Sequence, residues 1–144
     1  MSHADEAEAL HRSGLNCCQA IAMTFAEEYG LPRDQAMRVA SGFGGGMGGL
    51  GMTCGAVTGA FMVIGLKHPR PDRASAGASS SLVRDFVRRF QATHGSINCR
   101  ELLGCDISTP QGHQAARDAG LFEKTCPPAI RDAAELLDDL LAGK

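Results

Sequence analysis

Apolar residues recur every three or four positions through most of this chain, and each such stretch predicts an α-helix. Residues 4 to 12 mix Ala, Glu and Leu until Ser13-Gly14 ends them. From Cys17 to Tyr29 a stripe runs through Cys18, Ile21, Ala22, Phe25 and Ala26, and Gly30 closes it. Pro32 opens another helix through Ala36, Val39 and Ala40. Seven glycines then fall between Gly42 and Gly51, a density at which no regular helix persists. The run from Cys54, CGAVTGAFMVIGL, is apolar on every face except at Thr58 and predicts a buried central helix. It is shorter than the ~20 apolar residues a membrane span needs, so no membrane insertion is expected.

The following stretch, KHPRPDRASAGASSS, has two prolines, several serines and little apolar content, and predicts a loop. Leu82, Val83, Phe86, Val87 and Phe90 restore the stripe as far as Thr93, and Gly95 stops it. A short helix follows from Cys99, then a loop over 106–112, a weaker helix from Gln114 to Phe122, and an amphipathic helix from Ala129 to Leu141. No segment alternates with the period of a strand. The expected class is all-α, a single domain over residues 1–144 with six or seven unequal helices around a buried central one.

The 144 residues are 44% apolar and 21% charged, enough for one core and a solvated surface. A net charge of −2, without any Lys/Arg run, gives no electrostatic footprint for nucleic acid, and no such partner is expected. The opening MSHADEAEALHRSG is polar and acidic and lacks the pattern of a secretion signal, so a cytoplasmic location is expected. In that compartment structural disulfides are rare, and six cysteines point to metal binding or redox chemistry.

Four of the six cysteines directly follow a residue that favours a helix N-cap: Asn16-Cys17, Thr53-Cys54, Asn98-Cys99 and Thr125-Cys126. Each would occupy the first helical position, where free N–H groups and the macrodipole favour a thiolate. Gln19 and Glu101 complete capping boxes with Asn16 and Asn98, while Pro127 and Pro128 suit a first turn after Thr125. Four such starts meeting at one point would hold a metal or cluster. No CxxC pair exists, which excludes a zinc ribbon, a bacterial ferredoxin run and the thioredoxin motif, so any site must be assembled by the fold. Cys18 lies on the apolar stripe and reads as core. Cys105, behind Gly104, reads as packing or an idle thiol, with a resolving role for Cys99 left open.

Gly44, Gly46 and Gly49 fall in GxGxxG order, but helix precedes them where a dinucleotide site needs a strand. Two readings stay open: bare backbone aimed at a cluster's sulfides or a small oxyanion, or a flexible connector. The five histidines, His3, His11, His68, His94 and His113, show no paired helical spacing and are weak ligand candidates. No carboxylate dyad or Ser-His-Asp set is present to suggest a catalytic role.

Laid out in order, these elements resemble the small bacterial family named as putative redox-active proteins for the signature C_GCAxxG_C_C. The resemblance rests on Asn16-Cys17, on GFGGGMGGLGMTCGAVTGA with Cys54, Gly55, Ala56 and Gly59, on Cys99-Arg100-Glu101-Leu102-Leu103-Gly104, and on Cys126-Pro127. It implies a redox role with an iron–sulfur cluster or another metal as prosthetic group. Cys18 and Cys105 are additions to the bare pattern, leaving open thiol exchange through Cys17/Cys18 or Cys99/Cys105. The expected function is electron transfer by a cluster on Cys17, Cys54, Cys99 and Cys126, with Arg100 adding to stabilisation of the reduced form. The alternatives are a cluster-free thiol–disulfide protein and a structural zinc domain that binds a partner. The redox partner is not readable, and the small residues of the central helix suit a homodimer interface as well as a core.

Overall fold

In the computed structural model, which describes residues 1–68 and 72–144, the apolar run after Cys54 forms the helix around which the others are arranged. This helix is α4 (Gly55–Leu66), preceded by α1 (His3–Arg12), α2 (Cys17–Ala26) and α3 (Arg33–Val39). After it come α5 (Arg73–His94), α6 (Cys99–Leu103), α7 (Pro110–Asp118) and α8 (Leu121–Leu141). The all-α expectation holds, with eight helices among the described residues where six or seven were expected. Their one β pairing is an isolated antiparallel bridge between Thr53 and Asn98.

Small residues set the geometry of the centre. Gly55, Ala56, Gly59 and Ala60 are buried in α4, and the first and third of these let α2 approach closely. A Cβ on Gly59 would lie 2.9 Å from the Ile21 Cβ and 3.0 Å from the Cys18 carbonyl oxygen. One on Gly55 would lie 2.8 Å from the Cys18 nitrogen and 3.0 Å from the Cys17 Cβ. The face that sequence alone would assign equally to a dimer interface is thus occupied by α2 of the same chain. The other sides of α4 carry α5, through Phe86 and Phe90, and α8, through Ala129, Ile130, Ala133 and Leu137. α1 lies across α2 and α8. No described helix is long and apolar enough to cross a membrane.

Three local expectations are corrected. The serine-rich stretch is helical from Arg73 onward, because Asp72 caps it by accepting from the Ser75 N–H (2.8 Å) and the stripe beginning at Leu82 anchors it. Of the loop expected there, residues 69–71 lie outside the described residues. The loop expected over 106–112 ends in helix, since Thr109 caps α7 by accepting from Gly112 N–H (3.0 Å) and Pro110 occupies its first position. Finally, α8 begins at Leu121, not beside Cys126, and runs through both Pro127 and Pro128. Leu121 and Phe122 pack on Leu103, Ile107 and Ala116, which holds the turn ahead of the prolines despite two missing N–H donors.

The two glycines of α4 that differ most in surroundings give opposite expectations. Gly59→Ala overfills the α2 contact and should lower stability by about 1–3 kcal/mol. Gly65→Ala sits in open space on the same helix and should raise it by about 0.5–1 kcal/mol. Urea denaturation of both variants reads the two signs.

Candidate metal and redox site

Cys17, Cys54, Cys99 and Cys126 line one cavity of about 560 Å³. Three local devices bring them there. Asn16 caps α2 with a complete capping box, accepting from Gln19 N–H (2.8 Å) while Asn16 N–H donates to Gln19 Oε1 (3.0 Å), so Cys17 sits at the first helical position as expected. Gly55 then places the start of α4, and with it Cys54, against Cys17. The bridge at Thr53 and Asn98 joins the second pair: Cys54 N–H donates to Ile97 O (2.7 Å) and Cys99 N–H to Met52 O (2.6 Å). Cys126 arrives on α8, whose next turn is locked into the core by Ala129 and Ile130.

Only two of the four cysteines occupy the helical position expected of them. Cys54 is itself the N-cap of α4, because Thr53 is held in the bridge, and Cys126 is the sixth residue of α8. Cys99 does begin α6, but its capping box does not form. The Cys99 and Arg100 N–H groups are taken by Met52 O and Gly51 O (3.0 Å), and the Asn98 side chain donates to Glu101 instead (2.9 Å).

The glycine run is therefore a structured cap and not a loose connector. Gly45, Gly46, Met47, Gly48 and Gly49 all have positive φ, a stretch that side-chain-bearing residues rarely sustain, and Met47 is its one exception. Bonds from Gly48, Gly51 and Met52 N–H back to Gly42, Gly45 and Gly46 O (2.9–3.0 Å) close it on itself. Gly44, Gly45, Gly46 and Gly49 form one wall of the cavity. A Cβ on Gly46 would lie 2.5 Å from Met52 N and 2.8 Å from the Cys99 Cβ, so bare backbone is required there.

Burial decides the state of most of the thiols. It pushes Cys54 up to about 12, against the weaker opposing pull of the Ala56 and Val57 N–H groups at the start of α4. It also pushes Cys99 up to about 11, with the charge of Cys126 adding to the shift. Cys126 moves the other way, down to about 5, held as thiolate first by the neighbouring Cys17 thiol and then by His11. Cys17 is correspondingly held well above its usual value by Cys126 and by burial. The expectation of four easily ionised thiols is thus corrected to one, and that one does not start a helix.

His11 is the residue that sequence reasoning passed over. It stands at the end of α1, six residues before Cys17 and on a different helix, and no spacing rule links it to the cysteines. Its Nδ1 faces the Leu15 carbonyl oxygen at 3.0 Å, which leaves Nε2 for the cavity. Ligand atoms of His11, Cys17 and Cys126 all lie within 4.8 Å of one another, close enough to share one metal ion. Cys54 and Cys99 stand on the same cavity but outside that tight group. Cys18 is a core residue as expected, and Cys105 is half-buried in a packing role. Cys18 is fully buried with its Sγ 3.8 Å from the Met62 sulfur, and Cys105 packs near α7 with its Sγ 3.4 Å from Gly112 O. Arg100 lies over Gly51 and faces Asp106 (3.5 Å), and it does not line the cavity.

Over residues 15–140 the sequence matches the family described as "Putative redox-active protein (C_GCAxxG_C_C)". The chain belongs to this family. The element Cys54-Gly55-Ala56 with Gly59 has a structural reason here: Gly55 and Gly59 form the face of α4 against which α2 packs, and this seats Cys17 beside Cys54 at the start of the helix. No curated protein and no solved structure matches the chain.

Two expectations follow. In reduced, metal-free protein, iodoacetamide should modify Cys126 ahead of the other cysteines near pH 7, because its thiolate persists down to about pH 5; His11→Ala should shift that profile upward, as peptide mass spectrometry across a pH series would show. Gly46→Ala, combining positive φ with two close contacts, should cost about 1–3 kcal/mol in urea denaturation.

Proposed function

We propose that this protein carries an iron–sulfur cluster on Cys17, Cys54, Cys99 and Cys126 and passes electrons to a partner protein. The observation that carries the reading is the meeting of four thiols, distant in sequence, on one cavity. Of these, only Cys17 and Cys126 belong to the tight group with His11. Four cysteine thiols meeting on one cavity are the ligand set of an iron–sulfur cluster. A polynuclear cluster spans such a set, and thiolates are its natural ligands. The donor chemistry fits: soft sulfur ligands on one water-poor wall, backed by glycine backbone that lets other atoms approach closely. When bound, the cluster supplies one-electron redox chemistry. The chain's own residues set its surroundings, with His11 placing a ring nitrogen beside Cys126 and burial of Cys54 limiting water.

A second reading is favoured by the low-lying Cys126 thiolate next to the protonated Cys17 thiol. In it, the Cys126 thiolate and the Cys17 thiol form a disulfide, two electrons and the single proton of Cys17 passing to an acceptor. A single zinc ion on His11, Cys17 and Cys126 is the third arrangement the geometry accommodates.

Protein purified without oxygen separates these readings through iron, sulfide and zinc content and the visible spectrum. Matching iron and sulfide with a dithionite-bleached brown colour is the expected result. Zinc alone, or a colourless metal-free protein from a host that loads other clusters, would overturn it. Cys99→Ser should lower iron content several-fold, whereas Cys18→Ser should leave it unchanged, since Cys18 points to the Met62 side of α2.

A further inference from the structure

The cavity is larger than its thiols require. A metal centre held about 2.3 Å from its sulfurs fills a fraction of the 560 Å³, which lies within the range typical of small-molecule sites. The remainder runs away from the cysteines along the helices that carry two of them. Phe122 is four residues before Cys126 on α8, and Leu103 is four residues after Cys99 on α6, so each lies one helical turn from a thiol on the same face. Ile107 closes this apolar part, with Leu103 and Ile107 packed on Ala116 of α7.

Two cationic or hydrogen-bonding side chains meet that apolar part from α7. His113 and Arg117 are four residues apart and both line the cavity, His113 with its ring centroid 5.2 Å from that of Phe122. Arg117 is exposed and, like Arg38, Arg73 and Arg84, makes no ion pair among the described residues, and of these it is the one that lines this cavity. An unpaired guanidinium at the mouth of an apolar pocket presents a planar fork to a carboxylate.

We propose that this half of the cavity binds a small organic carboxylate, its charged end on Arg117 and His113 at the mouth and its apolar body between Leu103, Ile107 and Phe122, directed toward the thiols. This assignment rests on the reading of the four cysteines as the redox centre, for which the bound acid is the small-molecule reactant or effector. One arginine and one histidine suit a singly charged carboxylate, with the apolar lining selecting against bare inorganic anions.

The test uses the full chain with isotope-labelled Ile and Leu methyl groups, titrated with benzoate, with its uncharged analogue benzamide, and with sulfate. Metal-free reduced protein and the protein as purified are both titrated. The expected result is saturable shifts of the Ile107, Leu102 and Leu103 methyl signals with benzoate, weakened about tenfold or more for benzamide and for Arg117→Gln, and no matching saturation with sulfate. Absence of benzoate shifts at these methyls, equal binding of benzamide, equal binding by Arg117→Gln, or preferential binding of sulfate would each overturn the proposal. Titration of the metal-free form separates this result from the cluster reading, because benzoate binding there does not depend on iron, and iron and sulfide content on the purified sample tests the cluster alone.

Discussion

The close approach of α2 and α4 across Gly55 and Gly59 is the contact on which the site depends. Two helices that meet with ordinary side chains between them keep their axes about 8–10 Å apart. Here a Cβ at either glycine would collide with Cys17, Cys18 or Ile21, so the backbones come closer than such side chains would permit. Cys17 and the start of α4 are then neighbours by construction. The rest of the cysteine wall is built outward from that point. The Thr53–Asn98 bridge carries Cys99 to Cys54, and the apolar face of α8 carries Cys126 to Cys17.

Electrostatics follow from this packing and differ from a simple picture of helix ends. A helix N-terminus favours a thiolate only if its N–H groups are free and the sulfur keeps some access to solvent or countercharge. Neither holds fully here. The first N–H groups of α6 are spent on the carbonyls of Gly51 and Met52, and Cys54 is buried to 6% exposure. Desolvation then outweighs the helix. Cys126 escapes because a protonated thiol and an imidazole stand beside it, so the charge of the unliganded site gathers on one sulfur flanked by Cys17 and His11.

Much of this was legible in the sequence, and the exceptions have physical causes. Helical periodicity gave the class and the buried status of α4, and an N-cap beside a cysteine was enough to select the four thiols that share the cavity. The reason behind that selection was half right. Asn16 does cap α2, but Thr125 caps nothing, because packing of Leu121 and Phe122 carries α8 across two prolines that local propensity takes as a beginning. Thr109-Pro110 was a start signal hidden in a stretch read as loop, and Asp72 was another ahead of the serines. His11 could not be found by spacing, since only the tertiary meeting of α1 with α2 and α8 places it beside Cys126. The glycine run read equally as connector or as cradle; its positive φ values and internal hydrogen bonds make it an ordered wall of the cavity.

X-ray absorption at the edge of whatever metal accompanies the anaerobically purified protein tests the central claim, that the fold gathers these distant cysteines around one metal centre. The account predicts a first shell dominated by sulfur near 2.3 Å, together with a metal–metal distance in the second shell. A first shell of oxygen and nitrogen without sulfur would contradict it.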